Sequence, residues 1–157
     1  MELTANPDAV ITLTVNNYKS VTQGMMLTTG TSPDVTADLL PGGSSRVTKK
    51  SNNLFEVSQG SSVGNHLDLQ IEVRPAGTYD AVGLIIRDPS NGNAGSDYWD
   101  DCRVGNGSSA HVVTVRDKGK VDPGSSITYE LYMLIKTKVP DGPLSDYGLI
   151  DPKITNL

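Results

Sequence analysis

Leu67-Asp68-Leu69-Gln70-Ile71-Glu72-Val73-Arg74 alternates apolar and polar side chains without a break. A side-chain period of two puts Leu67, Leu69, Ile71 and Val73 on one face of an extended chain. Asp68, Gln70, Glu72 and Arg74 take the other. A strand with one dry and one wet face belongs to an antiparallel sheet that packs on one side only. The stretch sets the class as all-β.

Working outward, residues 10–15 alternate Ile11, Leu13 and Val15 with Thr12 and Thr14, and Asn16-Asn17 ends the run. Residues 21–29 form a weaker strand candidate, interrupted at Gly24-Met25-Met26. Residues 31–45 hold Pro33, Pro41, Gly42 and Gly43 and read as a long connection, with a short ordered piece at 35–40. Residues 46–50 and 54–58 flank Ser51-Asn52-Asn53 as a hairpin. Ala81-Val82-Gly83-Leu84-Ile85-Ile86 is a continuous apolar run, too short for a typical helix. It reads as a central strand covered on both faces, with a bulge at Gly83.

Residues 110–116 are rich in β-branched side chains, and Asp122-Pro123-Gly124-Ser125 is a turn signal. Residues 127–138 are the longest candidate. Ile127, Tyr129, Leu131, Met133 and Ile135 share one face; Thr128, Glu130, Tyr132, Leu134 and Lys136 share the other. A last strand at 147–150 is kinked by Asp151-Pro152 before Ile154. No helix and no internal repeat emerges. About eight strands with regular turn signals imply an antiparallel β-sandwich of jelly-roll or Greek-key type, with an open Greek-key barrel as the alternative.

At 157 residues the chain has the size of one domain, taken as residues 1–157. A chain of this size can bury roughly two-thirds of its unfolded surface, so folding needs no disulfide or metal. The single Cys102 excludes an internal disulfide framework. The net charge is −5, and Lys49-Lys50 is the densest basic cluster, which argues against nucleic acid as a partner. The longest apolar run falls far short of the ~20 residues of a membrane span. The opening Met1-Glu2-Leu3-Thr4-Ala5-Asn6-Pro7 lacks the basic and apolar regions of a signal peptide. The expected location is the cytoplasm unless a leader has been removed.

The densest chemistry is at Asp97-Tyr98-Trp99-Asp100-Asp101-Cys102, beside a Gly/Asn-rich loop. Asp97, Asp100 and Asp101 are hard oxygen donors suited to calcium. Trp99 and Tyr98 could stack on a carbohydrate ring. The structural alternative is that Trp99 plugs the end of the core while the aspartates are solvated. The spacing matches no EF-hand, so no cofactor is expected, with calcium the one alternative. His66 and His111 lack zinc-site spacing. No nucleophile elbow and no phosphate-binding glycine loop is present. Cys102 reads as a small packing residue. No catalytic residue is assigned, although a triad assembled from distant positions would leave no local signature.

The C-terminal third carries a family likeness. Residues 129–135, Tyr-Glu-Leu-Tyr-Met-Leu-Ile, are followed after a polar break by Tyr147-Gly148-Leu149-Ile150-Asp151-Pro152-Lys153-Ile154-Thr155-Asn156. This ending resembles that of the bacterial AidA/PixA inclusion-body family, and also that of the uncharacterised DP-EP proteins. The first hundred residues show no such match and lack the early Asp-centred strand of the PixA pattern. The resemblance implies a cytoplasmic β-sandwich that accumulates or self-associates, and it transfers no functional residues. The leading expectation is a non-enzymatic, homo-oligomeric assembly protein. The runner-up is a calcium- or carbohydrate-binding module at residues 97–101.

Overall fold

The alternation at 67–74 folds as read. In a computed structural model, Leu67–Arg74 is a strand whose Leu67, Leu69, Ile71 and Val73 are at most 1% exposed. The structure describes residues 7–21, 24–29, 33–58, 66–87, 99–119, 125–138 and 146–156. The strands are β1 (Ala9–Val15), β2 (Val35–Leu39), β3 (Val47–Ser51), β4 (Leu54–Val57), β5 (Leu67–Arg74) and β6 (Tyr79–Arg87). They continue as β7 (Trp99–Val104), β8 (Val112–Asp117), β9 (Ile127–Thr137), β10 (Tyr147–Ile150) and β11 (Lys153–Asn156). A short 3-10 turn spans Gly107–Ser109.

The first sheet has the order β2-β1-β5-β8-β7. The second runs β3-β4-β11-β9, with β10 continuing beside β9 and β6 pairing along the other side of β9. Inward side chains of both sheets belong to one apolar core. From β9, Tyr129, Leu131, Met133 and Ile135 are fully buried. Each such side chain contributes roughly 1.5–3 kcal/mol relative to exposure.

Four expectations need correction. The sheets are mixed: β1 runs parallel to β5, and β11 runs parallel to β4. A regular alternation fixes which face is buried and says nothing about the direction of the neighbouring strand. The apolar run at 81–86 is not doubly covered. Val82 sits in a register shift between Ala81 and Gly83, after which Leu84 and Ile86 point inward while Ile85 is 66% exposed. Among the described residues of the 21–29 candidate there is no strand; Leu27 makes an isolated bridge to Ile150. Conversely, β7 and β11 are strands in stretches where the alternation predicts none. Asp122, Pro123 and Gly124 of the turn signal lie outside the described residues.

Three polar or small residues fasten the connections. Asp34 precedes β2 and accepts hydrogen bonds from the Thr28 backbone N–H (3.0 Å), the Thr28 hydroxyl (3.0 Å) and Asn17 Nδ2 (3.0 Å). Lys19 Nζ lies 3.1 Å away. Asn52 works as a side-chain strand on the open edge of β2. Its Oδ1 accepts the Ala37 N–H (2.8 Å), and its Nδ2 donates to the carbonyls of Val35 (2.8 Å) and Thr29 (2.6 Å). Gly148 lets β10 come close to the segment that precedes β2. A Cβ there would lie 2.9 Å from Leu27 Cδ1 and 3.0 Å from the Tyr18 ring. That ring stacks on Tyr79 with centroids 5.7 Å apart. Burial, reinforced by the Asp146 carboxylate, pushes the Tyr18 hydroxyl up to about 12.

Gly148→Ala therefore overpacks the contact with Leu27 and Tyr18 and should cost about 1–3 kcal/mol in a chemical denaturation curve. The Asp34 carboxyl supports a second prediction. The Thr28 backbone N–H, with help from Lys19 and Asn17, lowers its pKa from 3.8 to about 2. A depressed folded pKa contributes stability that is present above about pH 4 and lost as pH falls through about 2. Asp34→Ala should remove about 1–2 kcal/mol at neutral pH. It should also flatten the loss of wild-type stability between about pH 4 and pH 2.

Candidate functional site

The acidic stretch singled out in the sequence opens β7 at the edge of the first sheet. Asp97 and Tyr98 lie outside the described residues. Trp99 is 4% exposed, and its indole meets the Tyr129 ring edge-on, with centroids 5.7 Å apart at 88°. The ring is part of the core and offers no face to solvent, so the described geometry gives it no platform for a sugar.

Asp100 is half-buried and stands opposite Arg116 in the β7–β8 register. Arg116 forks onto Asp68, with Nε to Oδ1 at 2.7 Å and Nη2 to Oδ2 at 3.0 Å. Asp8 closes the group by accepting the Asp68 backbone N–H (2.7 Å). The Asp68 hydrogen bond, ahead of the attraction of Asp68, Asp100 and Asp8, raises the Arg116 pKa. Asp100 thus faces a guanidinium on the neighbouring strand. The surroundings of the Asp101 side chain lie outside the description. Among the described residues no three His, Cys, Asp or Glu side chains are placed to hold a metal ion. Cys102 is exposed on the same strand, and β7 shifts register between Asp100 and Arg103.

The two histidines are far from this strand end in role. The carbonyl of His111 accepts the Val73 N–H (3.0 Å), and that of His66 accepts from Arg46 Nη1 (3.3 Å). Both bonds tie segments to the sandwich rather than pairing an imidazole with a nucleophile.

The feature that sequence reasoning missed is the outward face of the second sheet. Register places its side chains in four rows across β6, β9 and β10–β11. Arg87, Glu130 and Lys153 form the first row; Ile85 and Tyr132 form the second. Gly83, Leu134 and Leu149 form the third, and Asp80, Lys136 and Tyr147 form the fourth. The middle of this face is apolar and its two ends are charged. Ile85 is the most exposed large apolar side chain among the described residues, and Tyr147 is 38% exposed. Leu134, Leu149 and Tyr132 are half-buried by their neighbours. Tyr132 donates its hydroxyl to Glu130 Oε2, which raises its pKa. Near the same face, burial raises the pKa of Asp151. The signal was present: Tyr132 and Leu134 interrupt the wet face of β9, and the run at 81–86 has too many apolar residues for a one-sided strand.

No family model and no curated protein matches the sequence. Among solved structures, the chain is similar to the inclusion body protein PixA from Burkholderia cenocepacia J2315. The TM-score is 0.53 at 9% identity, and the alignment covers 100% of both chains. The likeness heard in the last thirty residues of the sequence therefore extends over the whole length at the level of fold.

Proposed function

We propose that this chain is a non-enzymatic, self-associating structural protein that acts as one cytoplasmic domain. The observation that carries the reading is the outward apolar centre of the second sheet, where Ile85 stands 66% exposed. Scattered apolar side chains are ordinary on protein surfaces, whereas a contiguous set with a polar rim marks an association site. Met25 (41%) and Met26 (38%) add exposed, adaptable apolar surface elsewhere. The shared fold with an inclusion body protein supports the same reading.

Light scattering on a sizing column, over a concentration series, tests it. The expected result is a mass that rises above 16.7 kDa with concentration, equally with added calcium and with chelator. A mass fixed at one chain throughout would overturn the reading. Assembly that requires calcium would return the acidic stretch at 97–101 to the centre of the problem.

A further inference from the structure

The four rows on the outer face of the second sheet have a charge order that selects a partner and an orientation. The geometry points to a second copy of this chain, stacked face to face on β6, β9 and β10–β11 about a two-fold axis that crosses the strands. The inference rests on the self-association reading and adds the orientation of the two copies and their register.

Consider β9 alone. Its outward residues run Glu130, Tyr132, Leu134, Lys136. One end is acidic, the other basic, and the centre apolar, over about 20 Å of strand. A closed dimer interface is isologous, so the same patch must complement itself. An axis parallel to β9 would set Glu130 over the second copy's Glu130 and Lys136 over its Lys136. An axis across the strands, between the second and third rows, reverses β9 and sets Glu130 over the second copy's Lys136.

The flanking strands follow the same rule. The first row comes over the fourth, so Arg87 faces the second copy's Asp80, which in its own chain already holds Lys138 at 3.1 Å. Lys153 faces the ring of the second copy's Tyr147, a cation over an aromatic face. The second row comes over the third. Ile85 then projects toward Gly83 of the other copy, where a Cβ would meet nothing within 4 Å. An exposed branched side chain thus meets an open slot, and Tyr132 meets Leu134. Two sheets stacked in this way pack about 10 Å apart, with strands near alignment. The patch spans three strands by about 20 Å, about 300 Å² a side against the roughly 800 Å² per partner of a standard interface, so the dimer is weak.

Charge reversal tests the register. Sedimentation velocity is run from micromolar to hundreds of micromolar on wild type, Glu130→Lys, Lys136→Glu and the double reversal. Thermal melts check that each variant is folded. Each single reversal should weaken dimerisation about tenfold or more, and the double should recover to within about threefold of wild type. Ile85→Ser, at a position too exposed to threaten folding, should weaken it by a similar factor. A wild-type oligomer indifferent to these changes would overturn this inference while leaving self-association standing through another surface. A double reversal as weak as the singles would overturn the antiparallel register. A wild-type monomer at every concentration would overturn both this inference and the function on which it rests.

Discussion

The second sheet depends on β9 having hydrogen-bonding partners along both of its edges. It is the longest strand, and its inner face supplies four fully buried side chains to the core. A strand so placed must satisfy its backbone on both sides, because a buried unpaired N–H or C=O costs about 1–3 kcal/mol. One side is met by β6 over eight of its residues. The other is met in two pieces, β10 against Met133–Lys136 and β11 against Ile127–Glu130. Asp151-Pro152 stands at the break. Proline donates no N–H, yet its carbonyl accepts the Leu131 N–H at 3.0 Å, so the change of strand leaves β9 paired across the gap. The bend also steers β11 into parallel pairing with β4 and thereby joins the C-terminal strands to the β3–β4 hairpin.

The edges of the two sheets are treated differently, and the difference bears on function. On one side, β2 and β3 come together. Asn52 takes the hydrogen-bonding groups of β2, Lys49 reaches Asp38 at 3.2 Å, and Thr48 to Ser51 present an exposed, charged edge. Lysines on an edge strand discourage pairing with another chain. β6, by contrast, carries Ile85 outward, and its Ala81 N–H donates to the Ala110 carbonyl just ahead of β8. One flank is closed by side-chain amide and charge; the other presents apolar surface.

Much of this was legible in particular residues. The period-two patterns at 10–15, 67–74 and 127–138 located β1, β5 and β9 and assigned the inner face of each, because that period maps directly onto burial. Gly83 announced a bulge, and Asp151-Pro152 announced a kink. Strand direction was not legible, since β1 and β5 alternate alike whether parallel or antiparallel. Nor was β7, whose Trp99-Asp100-Asp101-Cys102 reads as a polar loop until a guanidinium is placed opposite Asp100. Gly148 lay inside the resembling C-terminal segment, but its reason comes from Leu27 and Tyr18, more than a hundred residues earlier. The outward apolar rows were hidden for the same cause: Ile85, Leu134 and Leu149 come from three separate strands and become neighbours only through register.

That register sets two cations beside an anion, yet among the described residues no ion pair joins them. Glu130 has Arg87 and Lys153 as its cross-strand neighbours, yet the hydrogen bond it accepts comes from the Tyr132 hydroxyl on its own strand. Cross-strand ion pairs on an exposed sheet are worth only a few tenths of a kcal/mol, so little free energy is forgone. The arrangement leaves cations flanking an anion at one end of the face, and an anion and an aromatic ring flanking a cation at the other. A surface built only to stay apart from its copies would carry one sign of charge across its middle. This one carries apolar side chains there and opposite signs at the two ends of its central strand, a pattern that complements itself when that strand is reversed.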